Sequence, residues 1–217
     1  MVINLSDENS LVAQWMHEIR SAAIQTDQMR FRRNTERIGE VAAYEISKML
    51  VYKDVETITP LGTKHQQCLA EQPVLATILR AGLPLHNGLL NYFDHADCAF
   101  IAAYRKHNKN DGTFEIEQNY VTCPDLDGKV LIIADPMLAT GASLLLAIEG
   151  LLEFGKPKFI HIVTVISCTE GIEAVLRRYP DVCIWAGDVD EELTAKGYIV
   201  PGLGDAGDLA FGGKLQF

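Results

Sequence analysis

The chain has 217 residues, 48% of them hydrophobic and 22% charged, with a formal net charge of -10. That length suits one domain able to bury a real core, and the acidic balance opposes binding to nucleic-acid phosphates. Five cysteines, Cys68, Cys98, Cys123, Cys168 and Cys183, are widely spaced without a C-x-x-C pair. This argues against a disulfide framework or a zinc site and favours reduced thiols in a cytoplasm. The polar, acidic N-terminus lacks an apolar signal core, and no apolar run approaches the ~18 residues that span a bilayer.

Two helices are expected to open the chain. The first is predicted from Ser10 to Ala23, capped by Ser10, with Leu11, Trp15 and Ile19 on its apolar face. The second is predicted from Thr35 to Val51, with Ile38, Val41, Ala42, Ile46, Met49 and Leu50 as its stripe. Arg30, Arg32, Arg33 and Arg37 form the richest basic stretch, which reads as a solvated helix face because acidic residues soon follow.

Short apolar runs then set a different rhythm: 73–79, 98–104, 129–134, 159–166 and 182–185. Helix-like segments at 84–93, 141–154 and 170–178 separate several of them. Continuous apolar strands alternating with helices predict an α/β fold, a mostly parallel central sheet with helices on both faces. Between the second and third runs, 106–124 is polar, with a turn signal at Asn110-Asp111-Gly112 and a hint of alternation at Phe114 and Ile116. It reads as a β-hairpin arm or flap inserted in the sheet. The tail from Gly197 to Gly213 is rich in Gly and Asp and is expected to lack regular core structure.

In open parallel sheets ligands bind beyond the carboxyl ends of the strands. Three apolar runs end there in a charge: Arg80, Arg105 and Asp135. After Asp135 comes Pro136-Met137-Leu138-Ala139-Thr140-Gly141-Ala142-Ser143, a short loop and then small or hydroxylated residues at a helix start. Unpaired N–H groups at the positive end of a helix dipole make that a phosphate cradle. It is not a Walker loop, because no G-K-[ST] follows. Gly202 to Gly207 satisfies G-x-G-x-x-G, but only ten residues follow, too few for a dinucleotide-binding unit. None of the six histidines stands at metal-ligand spacing, and His161, inside an apolar run, reads as a satisfied core residue.

The segment 135–143, Asp-Pro-Met-Leu-Ala-Thr-Gly-Ala-Ser, resembles the phosphoribosyl-pyrophosphate (PRPP) motif of uracil phosphoribosyltransferases. Ile78-Leu79-Arg80-Ala81-Gly82-Leu83 resembles that family's pyrophosphate-binding loop, and 197–208 resembles its uracil-binding segment. Tyr104-Arg105 and Thr59-Pro60-Leu61-Gly62 match as well. The resemblance implies the type I phosphoribosyltransferase fold in a single domain spanning 1–217, and pyrimidine salvage: uracil and PRPP give uridine monophosphate (UMP) and pyrophosphate. It implies that Arg80 and Arg105 bind the pyrophosphate side of the donor, Asp135 the ribose hydroxyls, and Ala139 to Ser143 the 5′-phosphate. Ile199, Gly204 and Ala206 would read uracil through backbone groups, and Asp205 would contact the donor. Asp135, Arg105 and Asp205 are the residues expected to carry catalysis. Magnesium is expected to arrive with PRPP, with no direct protein ligand assigned, and the Arg80–Ala81 peptide is expected to be cis. The expected partners are these small molecules and further copies of the chain, with no nucleic acid and no membrane.

Some residues depart from the family pattern. Ala142 stands where a second Gly is usual, Thr77 where Pro is common, and both 106–123 and Pro84-Leu85-His86-Asn87 are unlike the usual sequence. Related regulators of this fold sense pyrimidine nucleotides and bind RNA. Such a protein should show a basic face, against which the net charge speaks. Purine and orotate phosphoribosyltransferases are rivals that the uracil-like tail disfavours.

Overall fold

The computed structural model describes residues 1–107 and 114–213, and of 103–107 and 114–119 the backbone alone. The chain opens with β1 (Val2–Asn4), an element the apolar pattern did not reveal, followed by α1 (Leu11–Arg20). Ser10 caps α1 as expected, its hydroxyl accepting from the Val12 N–H. The buried face, however, is Val12, Met16 and Ile19, while Leu11 is exposed. Both stripes have helical spacing, and only the docked neighbour distinguishes them.

The second helix, α2 (Gln28–Ser47), starts seven residues before the expected position because Asp27 caps it. The basic stretch lies on this helix, where Arg30 pairs with Glu18 and Arg33 with Glu36 and Glu40. Met49 lies beyond the helix and is exposed.

Next comes a hairpin of β2 (Tyr52–Thr59) and β3 (Gly62–Leu69), paired with each other in a sheet of their own. Its faces carry polar residues on both sides, so no apolar alternation announced it. The remaining elements are β4 (Val74–Leu79), α3 (Leu83–Leu90), β5 (Asp97–His107), β6 (Phe114–Thr122), β7 (Val130–Ala134) and β8 (Met137–Leu138). They continue with α4 (Ala142–Leu151), β9 (Phe159–Cys168), α5 (Thr169–Arg178), β10 (Cys183–Asp190), β11 (Glu192–Leu193), β12 (Ile199–Val200) and α6 (Ala206–Phe211).

The central sheet has the order β1-β10-β9-β7-β4-β5-β6, with β8 added to β9. Its strands pair in parallel except β6, which runs antiparallel to β5 at the edge. The expected arm at 106–124 is thus partly an edge strand of the main sheet, and its turn signal at 110–112 lies outside the described residues.

Alternating strand residues feed two cores. Leu75, Ile132, Val163 and Trp185 join one that includes α1, α2, α3 and α6. Ala76, Ile133, Ile162 and Ile184 join the other with α4 and α5. This period-two division is the signature of a sheet buried on both faces. The tail corrects an expectation: α6 is regular, and Ile199, Leu203, Ala206 and Ala210 belong to the first core.

Candidate active site

Strands β4, β5 and β7 are neighbours, so Arg80, Arg105 and Asp135 stand at or beyond the carboxyl ends of three adjacent strands. Arg105 lies past the last β4–β5 pair, on the part of β5 that faces β6 across the Arg105–Ile116 pair; its side chain is outside the described residues.

The loop after β4 is pressed against the end of β7. The Thr77 hydroxyl donates to the Ala134 carbonyl at 3.2 Å, tying β4 to the residue just before Asp135. This gives a use to the threonine that replaces the family's proline. At Gly82 an added Cβ would stand 2.2 Å from Thr77 Oγ1 and 2.8 Å from the Ala134 carbonyl, so no side chain fits there. The cis peptide is Leu79–Arg80, one bond before the expected Arg80–Ala81. From this turn the Arg80 guanidinium reaches the tail: Nη2 donates to Asp208 Oδ1 (2.9 Å) and to the Gly212 carbonyl (2.8 Å).

Asp135 leaves β7 with its own N–H bonded to the Val163 carbonyl (3.1 Å). The Pro136 carbonyl accepts from Val165 and Ile166, both at 3.0 Å, and β8 continues that pairing along β9. The Asp135–Leu138 loop is therefore held as a strand edge. Asp135 is half-buried, and among the described residues its carboxyl accepts one long bond, from the Met137 N–H (3.5 Å). Burial raises its pKa to about 7, against which the Met137 amide pulls weakly.

Beyond β8, Ala139 and Thr140 lead into Gly141, which caps α4 at φ +83°. The Thr140 hydroxyl accepts from the Ala142 N–H at 3.4 Å. Gly141 has no side chain to offer the first turn, which lies at the positive end of the helix dipole. The Ala142 methyl is exposed, and Ser143 is half-buried. Gly171 of α5 permits this approach, since a Cβ there would stand 2.2 Å from the Ala139 carbonyl.

The tail folds over the same end of the sheet. A cis Val200–Pro201 peptide and Gly202 at φ +62° reverse the chain after β12; a Cβ at Gly202 would meet the Ile199 carbonyl at 2.1 Å. Gly204, at φ +96°, is exposed, and Asp205 caps α6 by accepting from the Asp208 N–H (3.0 Å). Ile199 and Ala206 are buried and belong to the core beneath the turn, while Gly204 and Asp205 are exposed. In the sequence Thr77 stands out only as a departure from the family pattern, and Gly171 and Asp208 are given no role. Asp208 lies inside the 197–208 segment, whereas Gly171 belongs to no motif.

His161 behaves as expected of a core residue. Its Nδ1 accepts from Trp185 Nε1 at 3.1 Å, and burial lowers its pKa to about 4. A groove of about 750 Å³ lined by Lys156, Phe159, Arg178 and Tyr179 lies at the opposite end of the strands, away from the motif residues.

A mostly parallel sheet with an acidic strand end, a glycine-capped helix start and a tail folded over the same end has the type I phosphoribosyltransferase fold. A hypoxanthine phosphoribosyltransferase from Staphylococcus aureus shares this fold (TM-score 0.50, 16% identity, 86% of this chain and 84% of that one). The uracil phosphoribosyltransferase family model matches residues 6–213, and the chain belongs to that family. It is 49% identical over 215 residues to the uracil phosphoribosyltransferase of Porphyromonas gingivalis, covering 99% of both chains. The AQ2163 protein of Aquifex aeolicus superimposes with a TM-score of 0.85 at 32% identity over 98% of each chain.

Proposed function

We propose that the protein transfers the phosphoribosyl group of PRPP to N1 of uracil, releasing pyrophosphate and UMP in pyrimidine salvage. The observation that carries this reading is the joining of three motif segments at one sheet end, with the Arg80 loop bonded directly to the tail through Asp208 and Gly212. In this reading the C1′–O bond to pyrophosphate breaks as the C1′–N1 bond forms, and the N1 proton is lost. Negative charge grows on the leaving group while the ribose becomes cation-like, so fixed cations and amides are the suitable tools.

Arg80 and Arg105 receive the pyrophosphate. Asp135 accepts from the ribose hydroxyls, and its desolvation makes each such bond stronger than it would be in water. The 139–143 amides, with the Thr140 and Ser143 hydroxyls, hold the 5′-phosphate. Peptide groups of 199–206 read the pyrimidine edge, and Asp205 lies beside them at the start of α6. Among the described residues no three His, Cys, Asp or Glu side chains form a metal cage. The oxygen donors Asp135 and Asp205 suit a hard cation held chiefly by the donor's own phosphates. Magnesium carried in this way would neutralise the pyrophosphate oxygens.

The five free cysteines support a reducing, cytoplasmic setting. Among the described residues no helix is long and apolar enough to cross a membrane. The β2–β3 hairpin exposes Ile58 and Leu61 almost completely, and a lone two-stranded hairpin is marginal in water. Both facts support a homo-oligomer of two or more chains.

Base choice tests the reading. A peptide N–H and C=O can pair with a uracil carbonyl and the N3 proton, whereas cytosine reverses that edge. Orotate adds a carboxylate, for which the 198–207 segment has no cation. Uracil and 5-fluorouracil should be turned over at saturating PRPP and magnesium, with cytosine disfavoured by roughly 10⁴. Turnover of cytosine or orotate at rates comparable to uracil would refute the backbone-reader assignment.

A further inference from the structure

Arg20, the last residue of α1, belongs to none of the motif segments, yet its guanidinium reaches the base-side loop. Nη1 donates to Asp190 Oδ2 (2.9 Å) and to the Gly202 carbonyl (3.1 Å). Nη2 donates to Asp190 Oδ1 (2.9 Å) and Asp188 Oδ2 (2.7 Å). Asp190 Oδ2 also accepts from the Gly202 N–H at 2.8 Å. Both peptide groups flanking the Gly202 Cα are therefore held by one ion-paired unit, the carbonyl by its cation and the N–H by its anion.

The unit sits where it can fix geometry. The Asp190 side chain is 8% exposed and that of Arg20 20%, so water competes weakly for these bonds. Asp188 and Asp190 close the carboxyl end of β10, a strand anchored in the sheet between β1 and β9. Gly202 is the pivot of the tail turn, placed between the cis Val200–Pro201 bond and Gly204. The turn between α1 and α2 supports the same place, for Gln25 Nε2 donates to the Arg20 carbonyl (2.9 Å) and a Cβ on Gly204 would stand 4.0 Å from Gln25 Oε1. Only a planar, multiply donating cation can serve four acceptors in this arrangement; an ammonium cannot span them.

We propose that Arg20 is a positioning residue for base recognition: its ion pair with Asp188 and Asp190 fixes the Gly202–Asp205 backbone from which the pyrimidine edge is read, and so sets affinity for the base without touching it. The proposal rests on assigning the 199–206 peptide groups to the base. A small displacement of a reading group costs large factors in productive binding, which is why a contact behind the loop governs its front.

The test uses Arg20→Lys in the full chain, with Asp188→Asn as a gentler variant read in the same way should the first not fold. Steady-state kinetics should show the uracil KM raised at least tenfold in Arg20→Lys, with kcat and the PRPP KM within twofold of wild type. Asp188→Asn should shift the uracil KM in the same direction by less. Amide hydrogen exchange should quicken at 199–207 in the variant and stay unchanged at 139–145. A normal uracil KM in folded Arg20→Lys, or an equal rise in the PRPP KM, would overturn the proposal and leave Arg20 as general scaffolding. Exchange in the wild-type protein separates the two layers. If UMP protects 199–207 there while Arg20→Lys behaves normally, only the positioning role falls. If UMP gives that segment no protection in wild type, the base assignment falls and takes the proposal with it.

Discussion

Asp135→Asn is the most informative substitution, because its two consequences point in opposite directions. Burial raises the carboxyl pKa from 3.8 to about 7, roughly 4 kcal/mol against the ionised form. Because the folded pKa lies above the unfolded one, the native state holds the proton more tightly. Asp135 therefore supports stability fully below pH ~3.8, and that support is lost as the pH rises to about 7. Asparagine keeps the shape and does not titrate. Urea unfolding should then show the variant gaining on wild type between pH 4 and 7, levelling off above that at no more than about 4 kcal/mol. Donor binding should move the other way. Charge-assisted bonds from ribose hydroxyls are worth about 1.5–3 kcal/mol each, so two of them predict a loss in kcat/KM for PRPP of at least ~100-fold. In wild type that parameter should climb as the pH passes about 7, where the carboxylate forms, and the climb should vanish in Asp135→Asn. Near-normal PRPP kinetics in the variant, or an unchanged rise across pH 7, would refute the role of Asp135 as ribose anchor.

Arg80→Lys should not behave conservatively. Lysine loses the planar fork that grips phosphate oxygens and cannot hold Asp208 and Gly212 in the same way, so pyrophosphate affinity in the reverse reaction should fall at least tenfold. The Arg80–Asp208 pair is well exposed, so stability should change by less than about 1 kcal/mol; a large loss of stability with normal pyrophosphate binding would reverse the assignment. His161 predicts a separate acid dependence. Its folded pKa of about 4 lies below the ordinary 6.5, so its support is complete above 6.5 and is lost as the pH falls to about 4, by up to roughly 3 kcal/mol. Replacing it with asparagine, which can still accept from Trp185, should flatten the stability difference across that window in urea titrations; an unaltered slope would mean another group titrates there.

Much of the architecture was legible because buried parallel strands are written as continuous apolar runs. Runs at 73–79, 129–134 and 159–166 became β4, β7 and β9 with ends displaced by at most two residues. The turn from Asp135 to Ser143 was legible for a related reason, since a strand-end acid, a glycine cap and a helix start are consecutive in the chain. The first helix shows where local pattern stops. Leu11-Trp15-Ile19 and Val12-Met16-Ile19 are equally periodic, and packing against α2 and the sheet buries the second set. The β2–β3 hairpin has polar residues on both faces, so backbone pairing rather than side-chain rhythm defines it. In the tail, glycines and aspartates that read as irregular are turn and cap residues whose conformation brings Leu203 and Ala206 into the core. Three ties were decided by tertiary structure alone: Thr77 to Ala134, Arg80 to Asp208, and Arg20 to Asp190 and Gly202. Each joins residues 57 to 182 positions apart. A hydrogen bond across that separation leaves no periodicity in the chain, because it exists only once the sheet has brought its strand ends together.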